Sequence, residues 1–157
     1  MATARRPRVW ECRLYPEPGR RHLYVRAVVF HRRKDMLEFW RLCDGKPMHA
    51  RARCQEVDQY RFDKGKSRRK TGLIACVSLW RGEMGTATVT HEFTHATMAW
   101  ARRRGLDVAS IDDGKAGVIP QDHPEERIAE ALGHLTSQFV ARASASGLYP
   151  REAGTPR

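Results

Sequence analysis

Between residues 86 and 104 the sequence meets two demands that only a helix satisfies together. Val89, Phe93, Ala96 and Trp100 recur at intervals of four, three and four residues, the repeat of a single helical face. His91 and His95 stand one turn apart. At about 100° per residue they fall about 180° from that stripe. One side of such a helix must be buried while the other faces a cleft or solvent, so the helix belongs in the wall of a globule. Thr86, directly after Gly85, is the predicted cap. Arg102, Arg103 and Arg104 suit the negative end of the helix dipole, and Gly105 supplies the stop.

The segments around this helix read more coarsely. Residues 23–30 and 72–80 are short apolar runs with the composition of strands. Residues 36–42 have a mixed period and fit a strand or a short helix. DGKP at 44–47 breaks the chain, residues 48–62 are ambiguous, and KGKSRRK at 64–70 reads as an exposed loop. A second helix is predicted from Asp122 or Pro124. Asp122 and Glu125 form a capping-box pattern, and Ile128, Leu132, Leu135 and Phe139 form its apolar stripe. The expected organisation is an irregular basic arm over 1–22, one domain over 23–148 and a loose tail over 149–157.

Length and composition narrow the class. A chain of 157 residues suits one domain with its own core. The charged fraction of 30% beside 41% hydrophobic residues is ordinary for a globule. No run approaches the about 18 apolar residues of a membrane span, and the basic start lacks the apolar stretch of a secretory signal. Membrane partners are therefore not expected. Cys12, Cys43, Cys54 and Cys76 are scattered without a CxxC pair, which points to a reducing cytoplasm rather than a disulfide framework. Positive charge is segregated. Residues 1–106 carry 24 basic and 10 acidic side chains, a net +14, whereas residues 107–130 carry a net −5. Such a surface attracts nucleic acid or an acidic protein partner, although no nucleic-acid module accompanies the charge.

The chemistry lies on the predicted metal-bearing helix. Residues 91–95 read HEFTH, an HExxH motif. Histidines at i and i+4 can share one Zn²⁺ per chain, and the glutamate beside them, Glu92, is placed to take a proton from a zinc-activated water. A catalytic zinc needs a third protein ligand. Glu126, at the start of the second helix, is the first candidate, with Glu130 one turn further on. Ala129, Gly133 and Ser137 share that side and would allow a close approach to the HExxH helix. His123 is the alternative third ligand. Glu125, rotated by about 100°, and Asp112 and Asp113 are further rivals.

THEFTHATMAW followed by EERIAEALGHL resembles the small zinc-dependent metallopeptidases of the zincin superfamily, in the glutamate-ligand, gluzincin-like branch. The likeness is to compact phage and bacterial members, including domains that cleave transcriptional regulators, and it covers about residues 72–140. It implies an α+β, minimal zincin-like fold, in which a small twisted β-sheet packs on the HExxH helix and a following helix carries the third ligand. It also implies hydrolysis of a protein or peptide substrate, His91, His95 and Glu126 as metal ligands, and Glu92 as general base and acid. Residues 72–80 would supply a strand of that sheet, whose edge strand could pair with an extended substrate. Glu130 stands where the pattern has an Asp or Asn supporting a ligating histidine, a departure in side-chain length. DNA-associated metalloproteases with a third histidine resemble the chain next, with His123 in that role, although Pro124 follows it where their pattern has glycine. His134, Tyr60 and Tyr149 are candidate donors to the oxyanion.

Overall fold

The computed structural model describes residues 9–45, 49–57, 60–63, 67–106 and 123–149, with the main chain alone described at 60–63 and 67–70. The chain is α+β. Its elements are β1 (Val9–Leu14), β2 (Tyr24–Phe30), α1 (Arg33–Asp44), β3 (Arg53–Glu56), β4 (Tyr60–Asp63), β5 (Ser67–Lys70), β6 (Leu73–Trp80), α2 (Thr86–Arg104) and α3 (Pro124–Ala145). Four strands form a mixed sheet in the order β1-β2-β6-β3, and β4 and β5 form a separate two-stranded ribbon. β2 and β6 run parallel, while β1 and β3 are antiparallel to their neighbours.

Both faces of the sheet are covered, which explains why its central strands read as nearly continuous apolar runs. Val25, Ala27 and Val29 of β2 and Ala75, Val77 and Leu79 of β6 face the core shared with α2 and α3. Val28 and Phe30 face the opposite way, onto Met36 and Trp40 of α1. Cys76 and Trp80 pack against that second cluster. The mixed period of residues 36–42 therefore resolves as a helix whose narrow apolar stripe covers the back of the sheet.

Several sequence expectations are corrected by pairing that is invisible in a local reading. The predicted irregular arm contains β1, which adds an edge to the sheet through all six of its residues. The sheet domain therefore begins before residue 23. β6, which covers residues 73–80 of the expected strand, lies inside the sheet between β2 and β3, and the short β3 is the edge beside α2. The exposed loop expected at KGKSRRK is β5 over its last four residues, with β4 as its partner. Gly72 permits the approach of residue 22 to the start of β6, because a β-carbon there would lie 2.0 Å from the His22 carbonyl oxygen.

The two long helices start with caps other than those predicted. Gly85, not Thr86, is the N-cap of α2. His123 caps α3, its Nδ1 accepting from the Glu125 amide at 3.3 Å; Asp122 lies outside the described residues. Gly105 ends α2 in the left-handed conformation at φ 68°, and its N–H reaches the carbonyls of Ala101 and Arg102. Among the described residues no helix is long and apolar enough to cross a membrane.

α2 and α3 pack side by side on one face of the sheet. Phe93 meets Phe139 with ring centroids 5.2 Å apart, and Arg127 lies over the Trp100 ring at 6.0 Å. The helices are thus antiparallel. The buried face of α3 is Ala131, Leu135, Phe139 and Ala143, whereas Ile128 and Leu132 of the predicted stripe are only half-buried. Trp10 of β1 closes the other side of Phe139 at 6.0 Å. Phe139 joins α2, α3 and β1, so Phe139→Ala is expected to cost about 3–5 kcal/mol of stability. Urea denaturation followed by circular dichroism checks this; a loss below about 1 kcal/mol, the range of a minor site, would refute the central role.

Candidate metal centre

α2 delivers the HExxH side chains to two different environments. Val89, Phe93, Ala96 and Trp100 are buried as expected, and His91 and His95 on the reverse face are exposed. The two imidazoles approach through Nε2 atoms 3.2 Å apart, with the rings at 85° to one another. A tetrahedral zinc with bonds of about 2.0–2.1 Å holds two ligand nitrogens about 3.3–3.4 Å apart. The pair, at 3.2 Å, is slightly closer than that spacing. Two ring nitrogens facing each other this closely need a proton or a metal ion between them.

Glu92 points elsewhere. Its side chain lies toward β3 and is only 7% exposed. Burial raises its pKa, an effect opposed by the neighbouring His91 and His95 and by a hydrogen bond from the Cys54 main chain. Strand geometry accounts for that last contact. The Val57 amide donates to the Ile74 carbonyl at 2.8 Å, so in the observed register Gln55 and Arg53 also turn their main-chain groups toward β6. Cys54 and Glu56, in alternation, present theirs to the open side. The half-buried Cys54 thiol is pushed up to about 12, chiefly by burial and also by the charge of Glu92, so it stays protonated and inert near neutral pH.

The remaining candidates are placed differently. Among the described residues, no group of three His, Cys, Asp or Glu side chains is gathered as for a metal ion; Asp112 and Asp113 lie outside them. The antiparallel packing shows why the pair stands without Glu126. Arg127 over Trp100, and Arg104 and Arg127 both beside Glu17 at 3.5 and 3.6 Å, set the first turn of α3 against the last turns of α2. Those turns lie five to nine residues beyond His95, about 7–14 Å along the axis. Ala129, Gly133 and Ser137, expected to face the HExxH helix, are exposed, so the side of α3 that carries Glu126 and Glu130 is turned to solvent. Glu126 is half-buried and Glu130 exposed. His123 is occupied at Nδ1 as the cap of α3.

The candidate oxyanion donors are equally dispersed. His134 lines a cavity of about 220 Å³ with Trp100, Pro16 and Arg127, on the Trp100 side of α2 and thus across it from the histidine pair. Tyr149 packs on Phe139 at 6.4 Å, and the side chain of Tyr60 is outside the described set. Sequence reasoning missed Arg103, which looked like one of three dipole-complementing arginines. Its guanidinium donates to the carbonyls of Leu73 at 2.7 Å, Thr71 at 3.3 Å and Val57. It thereby ties the end of β3 and the start of β6 to α2. No local pattern distinguishes it from Arg102, which pairs with Glu56, or from Arg104.

The geometry makes a direct prediction. Protein reconstituted with zinc is expected to bind one equivalent, and His91→Ala or His95→Ala to lose it. Because both side chains are exposed, each variant should keep its stability within about 0.5 kcal/mol of the parent when metal-free. Metal analysis paired with denaturation measures both. Stoichiometric zinc in the double variant would place the ion elsewhere.

Comparison with known proteins finds no matching protein-family model, curated protein or solved structure.

Proposed function

We propose that the chain is a zinc-dependent peptide-bond hydrolase acting on a protein or peptide substrate. The observation that carries this reading is the Nε2 pair 3.2 Å apart on an exposed helical face, with a buried carboxylate one residue along. His91 and His95 would hold the ion, and Glu126 is the sequence's candidate for the third donor, with His123 as the alternative. The chemistry such an ion supplies is acidification of a water and polarisation of the scissile carbonyl.

The chain's own groups supply the rest. Glu92 accepts the proton of the attacking water on a carboxylate oxygen and passes it to the departing amine. Burial increases its affinity for that proton, while the Cys54 main chain holds the carboxylate in place. β3 contributes a second element. The outward carbonyl of Cys54 and the outward main-chain groups of Glu56 can pair with a substrate in extended conformation, next to the carboxylate that performs the transfer. Arg103 fixes this edge relative to α2. All four cysteines are free, which agrees with a cytoplasmic setting.

Two sets of variants test the reading. Glu92→Gln should keep zinc and fold yet lower hydrolysis of a peptide-library substrate by at least about 10²-fold, the scale of general acid–base catalysis. Turnover of such a substrate at the parent rate by this variant would exclude Glu92 as the base. For the third donor, Glu126→Ala should release zinc more readily than Glu125→Ala. Loss of metal in His123→Ala alone would assign that place to the histidine.

A further inference from the structure

We propose that the ribbon of β4 and β5 binds duplex DNA. The eight residues of its two strands include Arg61, Arg68, Arg69 and Lys70 against one carboxylate, Asp63. Their pairing adds what composition cannot show. Arg61 stands opposite Arg69, Phe62 opposite Arg68 and Tyr60 opposite Lys70. Like charges at directly opposed positions weaken an antiparallel pair. A lone two-stranded ribbon is in any case marginal in water, and among the described residues β4 and β5 pair only with each other. A polyanion relieves both deficits, because it neutralises the opposed arginines and gives the ribbon a surface to lie on.

Dimensions select the polyanion. Two strands about 4.8 Å apart, each of four residues and about 13 Å long, match an element that enters the major groove of B-form DNA, about 12 Å wide. The deep, narrow major groove of A-form RNA does not admit it. An acidic peptide offers negative charge without a groove. The root of the ribbon is also prepared. Val57 and Thr71, which flank it, and Leu73 accept hydrogen bonds from Arg103 through their carbonyls. The Leu73 amide donates to Thr71 Oγ1 at 3.1 Å. The root is thus fixed in advance, which lowers the entropic cost of binding. Phosphate contacts of this kind position a duplex without reading its bases. Arg103, which holds the root, lies eight residues from His95, about 12 Å along α2. The proposal stands whether or not the histidine pair catalyses hydrolysis.

Fluorescence anisotropy of a short mixed-sequence DNA duplex, titrated with the full chain at two salt concentrations, tests it. Parent protein should bind, with log K falling by about 0.9 per log unit of salt for each phosphate neutralised. R68Q/R69Q/K70Q should bind more weakly and with a shallower slope. R32Q/R33Q/K34Q, which removes the same charge at the start of α1, should bind like the parent. Thermal melts establish that the variants are folded. If the triple ribbon variant melts early, R61Q/R69Q carries the same expectation, since it removes the opposed pair. Three results would overturn the proposal: no binding by the parent at low salt, equal losses in the ribbon and α1 variants, or competition by duplex RNA or poly-glutamate as strong as by DNA. The second would mean diffuse attraction, and the third recognition of charge alone or of an acidic protein.

Discussion

The structure depends on the burial of one side of α2 against the sheet. Val89, Phe93, Ala96 and Trp100 enter the main core, and at about 25 cal/mol per Å² of apolar surface removed from water that stripe decides the rotation of the helix about its axis. Once the rotation is set, the 3.6-residue repeat dictates every other direction. The histidines must emerge on the far side, and Glu92 must turn toward β3. A carboxylate in that position loses hydration, and the main chain of an edge strand returns part of it. The polar chemistry of the site is thus a consequence of apolar packing elsewhere on the same helix.

The sheet positions that packing through an unusual division of labour for so small a domain. β2 and β6 lie in parallel at its centre and are buried on both faces, whereas β1 and β3 finish the edges in antiparallel. The parallel connection requires an excursion. The chain makes it through α1, which covers the back of the sheet, then through β3 and the ribbon before returning as β6. The open edge beside Glu92 and the basic ribbon are therefore two parts of one connection. Arg103 joins both to the end of α2, and three carbonyls share its guanidinium.

α3 shows how an amphipathic helix can be read correctly in extent and in its apolar face, while a second packing face is misassigned. Its span matches the periodic segment, and Leu135 and Phe139 are fully buried. Ala131 and Ala143 flank the same face, against which Ile128 and Leu132 are half-buried, while Ala129, Gly133 and Ser137 lie on the opposite side. Small residues are compatible both with tight helix packing and with exposure, so they carry no directional information of their own. Glu126 shares the side of α3 that carries them, the one that the core does not use.

The helix of residues 86–104, the opposition of its apolar and histidine faces, and the two central strands are legible in residue order, because local periodicity and burial on one or both sides leave a direct imprint there. Residue order also marks Gly105 as a stop, since few residues other than glycine adopt a positive φ readily. Long-range pairing settles that residues 9–14 complete the sheet, that β3 forms the edge beside α2, that the basic run is one strand of a ribbon, and that among the described residues Arg103 is the one of three arginines that holds the main chain. These depend on partners far away in sequence. Hydrogen-bond pairing and side-by-side packing depend on which segments meet, and no window of neighbouring residues records that meeting.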